Sequence, residues 1–92
     1  MQVRWTPTAV GDLTQICDYI DQHDSAASAR RVALAIYQEV NSLARFPLLG
    51  RSGRKPTTRE LPCPGLPYLV IYRIRGEIVE ISRILHGAQK WP

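Results

Sequence analysis

The stretch Tyr68-Leu69-Val70-Ile71-Tyr72-Arg73-Ile74-Arg75-Gly76-Glu77-Ile78-Val79-Glu80-Ile81-Ser82-Arg83-Ile84-Leu85 decides the fold. Tyr68 to Ile74 is rich in β-branched and aromatic residues, the types that fit a pleated, half-buried surface. Arg75-Gly76 suits a tight hairpin, and Ile78 to Leu85 returns as the last strand. Alternation in the returning strand is imperfect. Val79, Ile81 and Leu85 share one face, yet Arg83 falls among them while Ile78 and Ile84 point the other way. Two readings fit: a β-bulge, which re-aims side chains beside it, or burial on both faces.

Working outward, Pro62, Pro64, Gly65 and Pro67 force a turn before this hairpin, and Thr57 to Leu61 reads as a further strand. Leu48 to Pro56 is punctuated by Gly50, Gly53 and Pro56 and reads as an exposed loop. Upstream the apolar period changes from two to that of a helix. Thr6-Pro7 is a helix start, a hydroxyl cap before a proline at the first helical position. Ala9, Leu13, Ile16, Cys17 and Ile20 then fall on one helical face, with Asp12, Gln15, Asp18 and Gln22 elsewhere on the surface. A break at His23-Asp24-Ser25, with Asp24 or Ser25 as cap, leads to a second helix. Its stripe is Ala29, Val32, Ala33, Ile36, Val40 and Leu43, and it ends at Phe46-Pro47.

Two amphipathic helices joined by a tight connection form a hairpin that needs a sheet to cover its stripe. Val3-Arg4-Trp5 supplies a short first strand. The order β-α-α-β-β-β predicts an α+β domain, a helical hairpin on one face of a largely antiparallel sheet. Leu13, Ile16, Cys17, Ile20, Val32, Ile36, Val40 and Leu43 are expected between the two layers.

A chain of 92 residues has room for one core, and at this size it buries only a little over ~60% of its unfolded surface. Cys17 reads as a small core residue and Cys63, between two prolines, as unpaired. Two isolated thiols suit a reducing cytosol. The N-terminal residues lack the apolar core of a secretion signal, and no stretch reaches the ~18 apolar residues of a membrane span. A cytosolic protein without membrane partners is expected. The net charge of +4 is uneven: residues 1–46 hold four arginines against five carboxylates, and residues 47–92 hold eight Lys and Arg against three. A basic half points to a polyanionic target or an acidic partner, or simply serves solubility.

His23 and His86 are far apart, with no carboxylate at ligand spacing, so no metal or other cofactor is implied. Nor is Gly50-Arg51-Ser52-Gly53-Arg54 followed by the Lys-Ser/Thr of a phosphate loop. Arg51, Arg54, Lys55 and Arg59 could clamp phosphates, or they could be a solvated loop. His86 ends the last strand, with Arg83 nearby and Trp91 beyond. A histidine there can shuttle protons or serve structure.

Several motifs occur in order along nearly the whole chain: Trp5-Thr6-Pro7, Asp12-Leu13 with Ile16 and Tyr19-Ile20, and Pro47 with Gly50-Arg51. They continue with Thr58-Arg59-Glu60-Leu61, Pro67-Tyr68-Leu69-Val70-Ile71-Tyr72-Arg73, and Leu85-His86-Gly87-Ala88-Gln89 through Trp91-Pro92. Together they resemble the RelE/ParE superfamily of toxins. The resemblance implies a growth-inhibiting toxin, of the kind linked to plasmid stabilisation, held in check by a cognate antitoxin. RelE-like and YoeB-like members are ribosome-dependent endoribonucleases, whereas ParE-like members poison DNA gyrase with no known nuclease centre.

In the nuclease branch the strand carries an arginine three residues before its tyrosine, and that position here is Leu69. The loss removes a cation from the transition-state phosphate. The ending from His86 to Pro92 and the aliphatic strand are similar to ParE-like relatives, which favours DNA gyrase over the ribosome and mRNA as target. A nuclease would use Arg59 and Arg83 as clamps, Glu60 as base and His86 as acid. Under the gyrase reading no residue is catalytic, and Arg51, Arg54, Lys55, Arg59, Arg83, His86 and Trp91 are the candidate contacts. A plain basic nucleic-acid-binding module would explain the charge but not the ordered motifs.

Overall fold

The structure, a computed structural model, describes residues 1–87. Its elements are β1 (Gln2–Trp5), α1 (Pro7–His23), α2 (Ala26–Ser42), β2 (Arg51–Ser52), β3 (Arg59–Pro62), β4 (Tyr68–Arg75) and β5 (Ile78–His86). Two helices pack on one face of a five-stranded sheet of order β1-β5-β4-β3-β2. The α+β reading holds, with two refinements. The sheet is mixed, because β1 runs parallel to β5 while the other neighbours are antiparallel. The loop expected over residues 48–56 contains β2, too short and polar to carry an apolar pattern.

The helix starts form as their chemistry requires. Thr6 Oγ1 accepts from the Ala9 N–H with Pro7 next in line, and the same hydroxyl donates to the Ile81 carbonyl at 2.8 Å, tying the start of α1 to β5. Ser25, of the two candidate caps, takes the N-cap of α2, and Asp24 closes α1 through its own N–H to the Ile20 carbonyl.

The alternation fault in the last strand is a bulge. Ile71 faces Arg83 but Tyr72 faces Ile81, which leaves Ser82 as the extra residue. Register then places Val79, Ile81, Ile84 and His86 opposite Ile74, Tyr72, Val70 and Tyr68, toward the helices. Ile36, Val40 and Leu43 are fully buried against this face. The expected stripe is corrected on α1, where Leu13, Ile16, Cys17 and Ile20, like Val32 on α2, are only half-buried. Ile16 and Ile20 line a cavity between α1 and the ends of β4 and β5, so the hairpin does not close fully there.

Candidate target-binding site

The basic loop is built on Tyr72. Its hydroxyl donates to the Pro47 carbonyl and accepts from the Gly50 N–H, both at 2.8 Å, although 22 residues separate Gly50 from Tyr72. Gly50 is required by this approach: a Cβ there would lie 2.7 Å from the tyrosine ring and hydroxyl. Burial pushes the Tyr72 phenol above its ordinary value, against the Gly50 hydrogen bond and the Arg59 charge. Arg59 Nη1 donates to the Gly50 carbonyl at 2.6 Å and pins the same corner.

From this corner β2 pairs with β3, and the turn between them closes through Gly53 N–H to Thr58 carbonyl at 2.8 Å. Thr57 takes a φ of 67°, a left-handed conformation that a β-branched residue adopts only when its surroundings hold it. Glu60, at 5% exposure, accepts from Arg51 Nη2 at 3.3 Å and from the Arg54 backbone N–H at 3.2 Å. The Arg51 guanidinium is thus directed to Glu60 and that of Arg59 to the Gly50 carbonyl. Arg51, Arg54 and Lys55 remain solvent-exposed.

At the other end of the sheet, Arg83 turns toward α1. Its Nε and Nη2 donate to the two Asp12 carboxylate oxygens at 2.8 and 3.1 Å, and Asp12 Oδ2 also accepts from the Ile84 N–H at 2.9 Å. One carboxylate therefore satisfies both the arginine and a backbone donor beside the bulge. The hydrogen bond to Asp12 raises the Arg83 pKa further, outweighing burial. Asp12 was expected elsewhere on the surface. Its spacing from Ala9 and Ile16 puts it at the margin of the apolar stripe, and a carboxylate in that register was the signal for a cation on the sheet.

His86 pairs across the sheet with Tyr68, their rings edge to face at 5.7 Å. It lines two cavities. A cavity of about 460 Å³ on the helix side has Asp12, Ile16, Ile20, Tyr68, Arg83 and His86 in its walls. A second, of about 290 Å³, includes Arg51, Arg54, Glu60, Leu69, Leu85 and His86. Pro62, Leu69 and Leu85 lie in register across the latter, an apolar row at the position where the nuclease branch would hold its arginine. The nuclease set is divided: Arg83 lines the first cavity, Glu60 the second, His86 both, and Arg59 turns to Gly50. Trp91 lies outside the described residues. No three His, Cys, Asp or Glu side chains converge as a metal site among the described residues.

This fold and these motifs have relatives. Residues 3–91 match the family model of the ParE toxin of the type II toxin–antitoxin system parDE. The chain is 43% identical over 91 residues to the candidate toxin Y4kP of Sinorhizobium fredii, covering 99% of this chain and 93% of that one. It is 42% identical over 88 residues to toxin RelE2 of Caulobacter vibrioides, covering 96% and 97%. Among solved structures, the chromosomal ParDE TA system from P. aeruginosa superposes with a TM-score of 0.86 at 26% identity, covering 94% of this chain and 95% of that one. The protein is therefore a toxin of the type II toxin–antitoxin class. Within that class the chain belongs to the ParE toxin family.

Proposed function

We propose that this toxin arrests bacterial growth by acting on DNA gyrase without cleaving RNA, and that a cognate antitoxin neutralises it in the cytosol. The observation that carries the reading is the engagement of the arginines a nuclease would need. Arg83 is held by Asp12, Arg59 by the Gly50 carbonyl, and Leu69 stands where a further cation would meet the phosphate. Phosphodiester cleavage draws its largest assistance from preorganised charge at the phosphate oxygens. A His86 proton donor without those cations has little transition state to serve. The resemblance to a chromosomal ParDE system, and to the toxin–antitoxin complex RelBE2 from Mycobacterium tuberculosis at a TM-score of 0.67, supports an antitoxin partner.

The test is induction of wild type and His86→Gln in cells, scored for survival, gyrase-linked DNA breaks and cleavage of translated messages. Loss of a catalytic acid typically costs ~10²–10⁴-fold in rate, so a nuclease would lose toxicity visibly. We expect the folded variant to stay toxic, with DNA breaks and intact messages. Loss of toxicity together with message cleavage by wild type would replace this reading with the ribosome-dependent nuclease.

A further inference from the structure

The register of the sheet sorts its charges by face. On β1, Val3 and Trp5 pack into the core, so Arg4 between them points away from the helices, level with Glu80 on β5. Glu80 is in turn level with Arg73 on β4, and Arg75 lies two residues further along the same face. Arg73 Nε donates to Glu80 at 2.7 Å, while Arg75 reaches the same carboxylate at 3.8 Å with its own side chain 63% exposed. Two arginines thus pair with one carboxylate, and Arg4 sits level with it on the neighbouring strand. Across the sheet on the same face, Arg51 sits level with Glu60 with its side chain 64% exposed. In the helical layer α1 carries Asp12, Asp18 and Asp21 and no Lys or Arg, while α2 carries Arg30 and Arg31 against Glu39.

We propose that the sheet face turned away from the helices binds the phosphate backbone of duplex DNA through Arg4 and Arg75, with Arg73 and Arg51 held on the same face by Glu80 and Glu60, an inference that rests on the gyrase reading. The strand lattice spaces these cations ~7 Å along a strand and ~10 Å across two strands, on a scale that a duplex, with one charge per ~1.7 Å of axis, meets at every approach. The cations named on this face are all arginines. A guanidinium fork takes two phosphate oxygens at once and is weakly hydrated, so it loses less on contact than an ammonium. Asp18 and Asp21 on α1 disfavour approach of a polyanion from that part of the helical layer. On such a surface the toxin would lie against the DNA that gyrase holds, leaving its helical layer outward.

The experiment measures binding of the purified chain to a short fluorescently labelled DNA duplex from roughly 50 to 200 mM salt. Wild type is compared with Arg4→Ala/Arg75→Ala and with Arg30→Ala/Arg31→Ala, which removes the same charge from the exposed surface of α2. We expect salt-dependent binding whose log–log slope falls by about 0.9 for each sheet arginine removed, and no change of slope in the helix variant. Equal losses in both variants, absent binding at low salt, or equal affinity for polyglutamate or single-stranded RNA would each overturn the inference. Gyrase-linked breaks are scored separately in cells. Breaks that persist at wild-type level in the sheet variant sink the DNA contact and leave the gyrase reading standing. Duplex binding without breaks in wild type sinks the gyrase reading instead.

Discussion

Asp12 accepts three hydrogen bonds from the sheet. Asp12→Ala leaves the Arg83 guanidinium and the Ile84 N–H without their partner, and is expected to cost about 1–3 kcal/mol. Asp12→Asn keeps one oxygen for the Ile84 N–H and should fall between the two; urea unfolding of the three proteins checks the order. Cys63 gives a second prediction. Its thiol is 3% exposed and is pushed up to about 11, by burial first and by Glu39 second, from an ordinary value of 9.0. Between these values the unfolded chain releases its proton while the folded chain keeps it. The stabilising contribution is therefore complete below about pH 9 and is lost as pH rises, at up to about 1.4 kcal/mol per pH unit. Unfolding midpoints compared at about pH 8 and about pH 10 should show this fall in wild type and a smaller one in Cys63→Ala.

The elements differ in how far the sequence announced them. Both helices were legible from caps and apolar spacing, which are local signals. Strands β4 and β5 were legible from composition, and the bulge at Ser82 left its trace as a fault in alternation. Strand β2 left none. It exists because Tyr72 and Arg59 anchor Gly50 from the sheet, and no local pattern encodes a partner 22 residues away. The candidate site was legible only as a set of residue types. Which arginines turn inward depends on Asp12, Gly50 and Glu60 meeting them in space. Depth of burial was equally hidden, and it separates two substitutions that periodicity treats alike. Ile36→Ala removes a fully buried side chain and is expected to cost about 2–5 kcal/mol. Leu13→Ala, on the half-buried stripe of α1, should cost clearly less in the isolated chain. Paired denaturation curves decide, and equal losses would mean that α1 is more deeply packed than described.

At the scale of the molecule, the acidic helix α1 lies on one side of the sheet and arginine rows on the other. The half-open seam between α1 and the sheet exposes apolar surface that a partner can cover. The proposed antitoxin should therefore stabilise the native state by an amount that grows with the logarithm of its concentration over its dissociation constant, about 2.7 kcal/mol at a hundredfold excess. A thermal midpoint unmoved at saturating antitoxin would count against the pairing. The stripe substitutions offer a finer check, since a partner seated on the seam should bind Ile16→Ala more weakly than wild type.

The parallel pairing of β1 with β5 has a consequence for synthesis. β1 is made well before its neighbour β5, and the Thr6 hydroxyl waits for a carbonyl 75 residues further on. Contacts this distant in sequence close late, after the loop entropy between them has been overcome. A nascent chain that has not yet released Ile78–His86 lacks the strand that joins β1 to β4, and both are left unpaired on that side. The native sheet therefore closes only once β5 is available, and a chain lacking Ile78–His86 cannot join β1 to β4.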